Sequence, residues 1–217
     1  ITVAAANDQV RFAAIFDSGI DVTLDTLSFT SFGGLDPFDG DVIYTSPTAD
    51  GTVTLRNVTV ASSARPVDIK GPARLEIETS TFRNNEEAIE ASQGEVYIAN
   101  SSFLNNTTTG AIGSAGLIEV GLGSLEIRNT VFENNTYDRF TSVLGALDSD
   151  TSISGSLFTG NDMLPGDGTT GTIRLSGGTT DIVNTTIVNP VDPSDGTAYA
   201  VRSENGASGT LANSIVI

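Results

Sequence analysis

Two short loops concentrate carboxylates: "DPFDGD" at Asp36–Asp41 and "DPSDG" at Asp192–Gly196. Asp36, Asp39 and Asp41 in the first, with Asp192 and Asp195 in the second, are hard oxygen ligands of the kind calcium accepts. Neither loop has the spacing of an EF-hand or of a glycine-rich calcium nonapeptide. Asp-Pro and Asp-Gly are also ordinary turn dipeptides, so each loop has a plain structural reading beside the cation-binding one. Three Asp pairs, Asp148 with Asp150, Asp162 with Asp167, and Asp192 with Asp195, offer a second chemistry. Paired carboxylates can hydrolyse a glycosidic bond, one activating water while the other donates a proton. No cofactor is required by either chemistry; calcium is the one cation the loops suit.

Composition narrows the field. The 217-residue chain contains no cysteine and no histidine, so disulfides, thiolate chemistry and the commonest general base are all missing. Acidic residues outnumber basic ones 27 to 10, for a net charge of −17 spread along the whole chain. That balance excludes nucleic acid and anionic membranes as partners, because lysine and arginine make phosphate contacts. No apolar run is long enough to span a bilayer, so no membrane insertion is expected in this segment. The first residue is Ile1, which suggests a processed or excised piece.

The elements that would position these residues repeat. Three phrases, "FRNN" at Phe82, "FLNN" at Phe103 and "FENN" at Phe132, belong to an eight-residue frame that recurs eight times. Its copies begin at Val22, Val53, Leu75, Val96, Leu125, Thr151, Thr180 and Gly209, at intervals of 21 to 31 residues. The third position is always aliphatic: Leu24, Leu55, Ile77, Ile98, Ile127, Ile153, Ile182 and Leu211. The eighth is always apolar: Phe29, Val60, Phe82, Phe103, Phe132, Phe158, Ile187 and Val216. Polar second positions alternate with these, which is the period of a strand and not of a helix.

Asparagine supplies the bends. The fifth position carries Asn57, Asn100, Asn129, Asn184 and Asn213, and Asn85, Asn106, Asn135 and Asn161 lie three residues after the eighth. Asparagine tolerates the left-handed conformation and bonds neighbouring backbone, so both sets are expected to turn the chain. Their side chains are also expected to stack into hydrogen-bonded ladders. A second family of short apolar segments follows: "EAIEA" from Glu87, "GAIG" from Gly110, "GALD" from Gly145, "GTIRL" from Gly171 and "AYAVR" from Ala198. These read as another face of each coil, with the variable intervals absorbed at one bend. Eight stacked rungs would rise about 38 Å.

This pattern resembles the right-handed parallel β-helix, or pectate-lyase-like, superfamily. Within it, the FxxN phrases and the GA[IL] segments are similar to the repeats of bacterial surface β-helix proteins such as chlamydial polymorphic outer-membrane proteins. The chain departs from that group in carrying one glycine where the group has two, as at Gly110 and Gly145. The expected fold is all-β, a single β-helix domain over residues 1–217 with about eight to nine coils of 21–31 residues.

Many members of that superfamily cleave or epimerise acidic polysaccharides, so the resemblance implies a specific test. Its hydrolases carry Asn-Thr-Asp, Asp-Asp and Gly-His-Gly phrases, and its alginate epimerases an Asp-Pro-x-Gly-His-Asp phrase. Here only the Asp-Pro start occurs. Its lyases use a basic residue beside carboxylate-bound calcium. Arg56 and Arg128 share the fourth frame position, but a surface arginine on a solenoid is more often an ion-pair residue. An acidic chain is also a poor cleft for a polyanion.

The expectation is therefore a non-catalytic, secreted or cell-surface solenoid acting as adhesin, stalk or filament segment. Its partners would be further coils or copies of itself end to end, with a glycan or cell-surface receptor. The alternative is a polysaccharide-active enzyme, or a carbohydrate-binding module derived from one. The last frame, "GTLANSIV", runs into Ile217 with no capping sequence, which suggests an interior segment of a longer chain or a stacking unit. Asn-x-Ser/Thr triplets occur at Asn57, Asn100, Asn105, Asn106, Asn134 and Asn184. The ladder assignment would bury four of these and leave Asn105 and Asn134 pointing outward.

Overall fold

Every strand of the chain is too short to bury a surface alone, so the coils must stack. The computed structural model describes residues 1–4, 12–32, 41–108, 116–138, 140–165, 171–188 and 199–217. It is a parallel β-solenoid with no helix among the described residues. Each full coil contributes one strand to each of three faces, which hold eight, nine and eight strands, and three coils each add a two-residue strand, Thr107–Thr108, Thr136–Tyr137 and Asp162–Met163, which together form a small fourth sheet. Every strand pair is parallel and joins one coil to the next. Seven coils carry all three faces, and partial coils flank them at both ends, against the eight to nine expected.

The first face is built from the front half of the frame, as in Arg74–Glu78, Glu95–Ala99 and Ser124–Arg128. The second is built from its end, as in Thr81–Arg83, Ser102–Leu104 and Val131–Glu133. Register is as the alternation requires: Leu75, Val96 and Leu125 stand in line, as do Ile77, Ile98 and Ile127. From Leu55 to Ile153 the third position is fully buried, and so is the eighth from Phe29 to Ile187. Leu211 and Val216, on the last coil, are about half exposed because a coil covers them on one side only. Phe82, Phe103, Phe132 and Phe158 form a stack with ring centroids 5.0, 5.0 and 4.4 Å apart and planes within 10°. That spacing is close to the distance between strands, so each ring rests on the one below.

The bend from first to second face is two residues long in every coil. Its opening residue is the fifth frame position, from Thr26 to Asn213, with φ between 48° and 58° throughout. The next residue turns inward and is usually Ser or Thr. Ser80, Ser101, Thr130, Ser156 and Thr185 are all buried. The Ser80 hydroxyl donates to Glu78 O at 2.8 Å and accepts from Val58 N at 3.0 Å. Ser80 N in turn donates to Ser101 Oγ at 3.1 Å, and Thr130 N to Ser156 Oγ at 3.2 Å. Buried backbone donors at the bend thereby find partners in the following coil.

A second ladder follows the phenylalanines. Asn85 N and Nδ2 donate to Asn106 Oδ1, Asn106 to Asn135, and Asn135 to Asn161, at 2.9–3.1 Å. Each Nδ2 also donates to a carbonyl in the preceding coil: Val60, Phe82, Phe103 and Phe132 respectively. These four asparagines are buried ladder rungs, as expected. They do not carry the left-handed turn. That conformation belongs to the residue before each, Asn84, Asn105, Asn134 and Gly160.

The fifth-position asparagines reverse the same way. They turn the chain but point outward, so Asn57, Asn100 and Asn184 are exposed. Only Asn106 among the six triplets is buried, and Asn105 and Asn134 point outward as expected.

The third face runs through Ile43–Thr45, Val67–Ile69, Ile89–Ala91, Ile118–Gly121, Leu144–Leu147, Gly171–Ser176 and Tyr199–Glu204. Four of the five expected segments overlap these strands. The "GAIG" segment lies outside the described residues, and in its coil Ile118–Gly121 forms the strand.

Candidate functional site on the outer surface of the third face

Each third-face strand places two side chains inward and one between them outward. Val67 and Ile69 are buried around Asp68, and Ile89 and Ala91 around Glu90. Because the strands are in register, the outward residues form one column: Tyr44, Asp68, Glu90, Glu119, Gly145, Arg174 and Arg202. The sign of charge changes along it. Carboxylates occupy three consecutive coils, a glycine follows, and arginines occupy the next two.

Beside the acidic half lies a buried cation. Arg65 is 3% exposed, its Nε 3.6 Å from Glu87 and its Nη1 against Glu90. Lys70 Nζ closes over the column, 3.0 Å from Asp68 and 2.6 Å from Glu90. Charge removed from water is tolerable only when paired this way, and here each cation meets two carboxylates. At the other end Arg174 and Arg202 share Glu204, at 2.7 and 2.8 Å. The longest connections in the chain all join the second face to the third.

The residues singled out from the sequence are dispersed. Asp36, Asp39, Asp167, Asp192 and Asp195 lie outside the described residues. Asp41 is described and is 1% exposed; carrying the third-face register two places back sets it in line with Arg65. Asp148 takes the left-handed turn between the third and first faces, and Asp150 accepts from the Thr179 hydroxyl at 2.6 Å. Asp162 sits on a two-residue strand elsewhere. Among the described residues no group of three or more carboxylates is arranged to hold a metal ion.

Arg56 and Arg128 are on the outer surface of the first face, each against a carboxylate. Arg56 donates to Asp25 Oδ2 from Nε at 3.1 Å and from Nη2 at 2.6 Å, and Arg128 meets Glu126. The hydrogen bond from Arg56 holds Asp25 down at about 2, and the same bond raises Arg56. A guanidinium held in its charged form is a poor proton acceptor. Sequence reasoning missed the third-face column. Its signal was a single charge between two aliphatics, as in "VDI", "IEA", "IEV" and "IRL".

Fold and register define the class: a right-handed parallel β-solenoid. A family model described as the right-handed β-helix region matches residues 38–189, well over half the chain, and the chain belongs to that family. No curated protein and no solved structure matches it.

Proposed function

We propose that the chain is a non-catalytic β-solenoid segment of a secreted or cell-surface protein, acting as adhesin, stalk or filament segment. One observation carries this reading. The polar side chains that recur from coil to coil are engaged in holding coils together: Ser and Thr at one bend, asparagine at the next. Seven of the eight described cations behave alike, with Arg56, Arg65, Lys70, Arg74, Arg128, Arg174 and Arg202 each set against a carboxylate, while Arg83 is exposed. A rod built this way displays long polar surfaces at fixed spacing, which suits adhesion through extended contact. The similarity of its FxxN repeats to bacterial surface proteins points the same way.

The column on the third face favours a second reading, a polysaccharide-active site or a glycan-binding groove. It brings Asp68, Lys70 and Glu90 within ion-pair distance of one another. A glycan-binding array combined with product assays on neutral, basic and acidic polysaccharides separates the two. The scaffold reading expects binding, if any, without turnover. Turnover lost on Glu90→Gln or Lys70→Met would replace it with the enzyme.

Calcium on the Asp36–Asp41 or Asp192–Asp195 loop would add stability by mass action. Melts in calcium and in chelator then differ, and identical melts leave both loops as turns.

A further inference from the structure

The outer surface of the second face carries almost no charge. Each of its strands turns the middle residue inward and the neighbours outward, and the outward residues form two columns in register. One runs through Thr59, Thr81, Ser102, Val131 and Leu157, the other through Ala61, Arg83, Leu104, Glu133 and Thr159. From Ser28 to Thr186 every outward strand residue is hydroxylated or aliphatic except Arg83 and Glu133. Both are exposed, and neither is in an ion pair among the described residues. The strands of this face are therefore neutral on a chain of net charge −17, and two copies can approach through them with little repulsion. Arg83 and Glu133 stand one coil to either side of Leu104.

We propose that this surface is a self-complementary interface through which two copies of the chain pack face to face, with their solenoid axes antiparallel. A two-fold axis parallel to the strands, at the level of the Leu104 coil, reverses coil order and keeps position along each strand. Arg83 then meets the partner's Glu133, and Glu133 meets the partner's Arg83, so one ion pair forms twice, as an isologous contact requires. Leu104 meets the partner's Leu104, while Thr81 and Thr59 meet the partner's Val131 and Leu157. The charges also choose between operations. A two-fold along the solenoid axis would set Arg83 against the partner's Thr81 and Glu133 against the partner's Val131, pairing neither. The seven strands from Ser28 to Thr186 span about 29 Å at about 4.8 Å per coil, two outward side chains wide. That patch is below the usual size for a permanent dimer, so association is weak and reversible, with electrostatic specificity. End-to-end stacking of coils leaves this surface uncovered and is a separate contact.

Charge reversal tests this, because the two single changes move net charge in opposite directions. Arg83→Glu sets two carboxylates against each other at each contact, and Glu133→Arg sets two guanidinium groups. The double variant, Arg83→Glu with Glu133→Arg, restores the pair in reverse at the net charge of the unmodified chain. Sedimentation equilibrium of the whole chain over a wide concentration range reads the result. The salt is about 0.15 M, where repulsion between the acidic chains is screened beyond about 8 Å. The interface predicts a monomer–dimer equilibrium that both single variants weaken, each by about two- to thirty-fold, because an exposed pair acts twice by symmetry. The double variant should dimerise like the unmodified chain. All three should melt like it, since both residues are exposed and unpaired. A chain that stays monomeric throughout would overturn the proposal. So would single variants that shift in opposite directions with net charge, or that do not shift at all. Association that grows past the dimer and ignores all three variants would assign self-contact to the ends of the solenoid, and would equally overturn it.

Discussion

Two bends of the same coil obey opposite rules. Between the first and second faces the chain always takes two residues, as at Asn129 and Thr130. Between the second and third it takes anything from five, after Ala61, to thirteen, after Leu104. The short bend places its second residue inside the stack, where backbone N–H groups must find partners, and serine or threonine oxygens supply them. A length change there would rotate the second strand against the first. In four coils the long connection begins with a fixed step, the buried asparagine, which three of them extend by a two-residue parallel strand, and its length varies after that. The lesson is that fixed length tracks buried polar groups that have one place to bond, while variable length tracks segments released from that demand.

Inserting one residue between Asn129 and Thr130 should break the comparison most severely. It would send Phe132 outward and its neighbours inward, because a one-residue slip exchanges the faces of a strand. We expect loss of cooperative melting for the affected coils. Four Gly/Ser residues inserted between Leu164 and Gly171 should cost less than about 1 kcal/mol, since loop closure grows slowly with length. Denaturant titration of both variants checks the contrast.

Phe132→Ala should cost about 3–5 kcal/mol, because it opens a cavity in the stack between Phe103 and Phe158. A cost below about 1 kcal/mol would mean that the ring is not in the core.

Neighbouring asparagines sharpen the comparison further. Asn135→Ala strands the Asn106 donors and the Phe103 carbonyl, for about 2–4 kcal/mol. Asn134→Ala only strains an exposed left-handed residue, for about 1 kcal/mol. Equal costs in chemical denaturation would contradict the division of labour between the two.

The register of these elements was legible in the sequence because it is enforced twice, by alternation within a strand and by repetition between coils. Residues such as Ile98 and Phe103 could be placed without a structure. Which asparagine of each pair turns and which one bonds was less legible, since both tasks suit the same residue type. Asn105 and Asn106 differ only in which way the chain points them. The inward Ser80, Ser101 and Thr130 were overlooked because a hydroxyl residue at a turn has an ordinary local explanation. The third-face column was hidden for another reason. Asp68, Glu90, Glu119 and Arg174 are aligned by the variable connections, so no fixed spacing announces them.

A smaller effect is expected at the first bend's outer surface. Asp25 is held at about 2 by Arg56, below the ordinary aspartate value. Its contribution is fully present above the unfolded-state value, about 3.9, and is lost as pH falls toward about 2. Asp25→Asn should therefore lower stability at neutral pH and converge with the unmodified chain in strong acid. Parallel acid titrations of the two proteins check the direction.

Exchange of the asparagine side-chain amides tests the central claim most directly. Asn106 and Asn135 lie beside Asn105 and Asn134 in the chain, so each pair is its own control. The account predicts that the buried Nδ2 protons of Asn106 and Asn135 exchange with solvent orders of magnitude more slowly than those of Asn105 and Asn134. Comparable rates within each pair, in a folded chain, would contradict it.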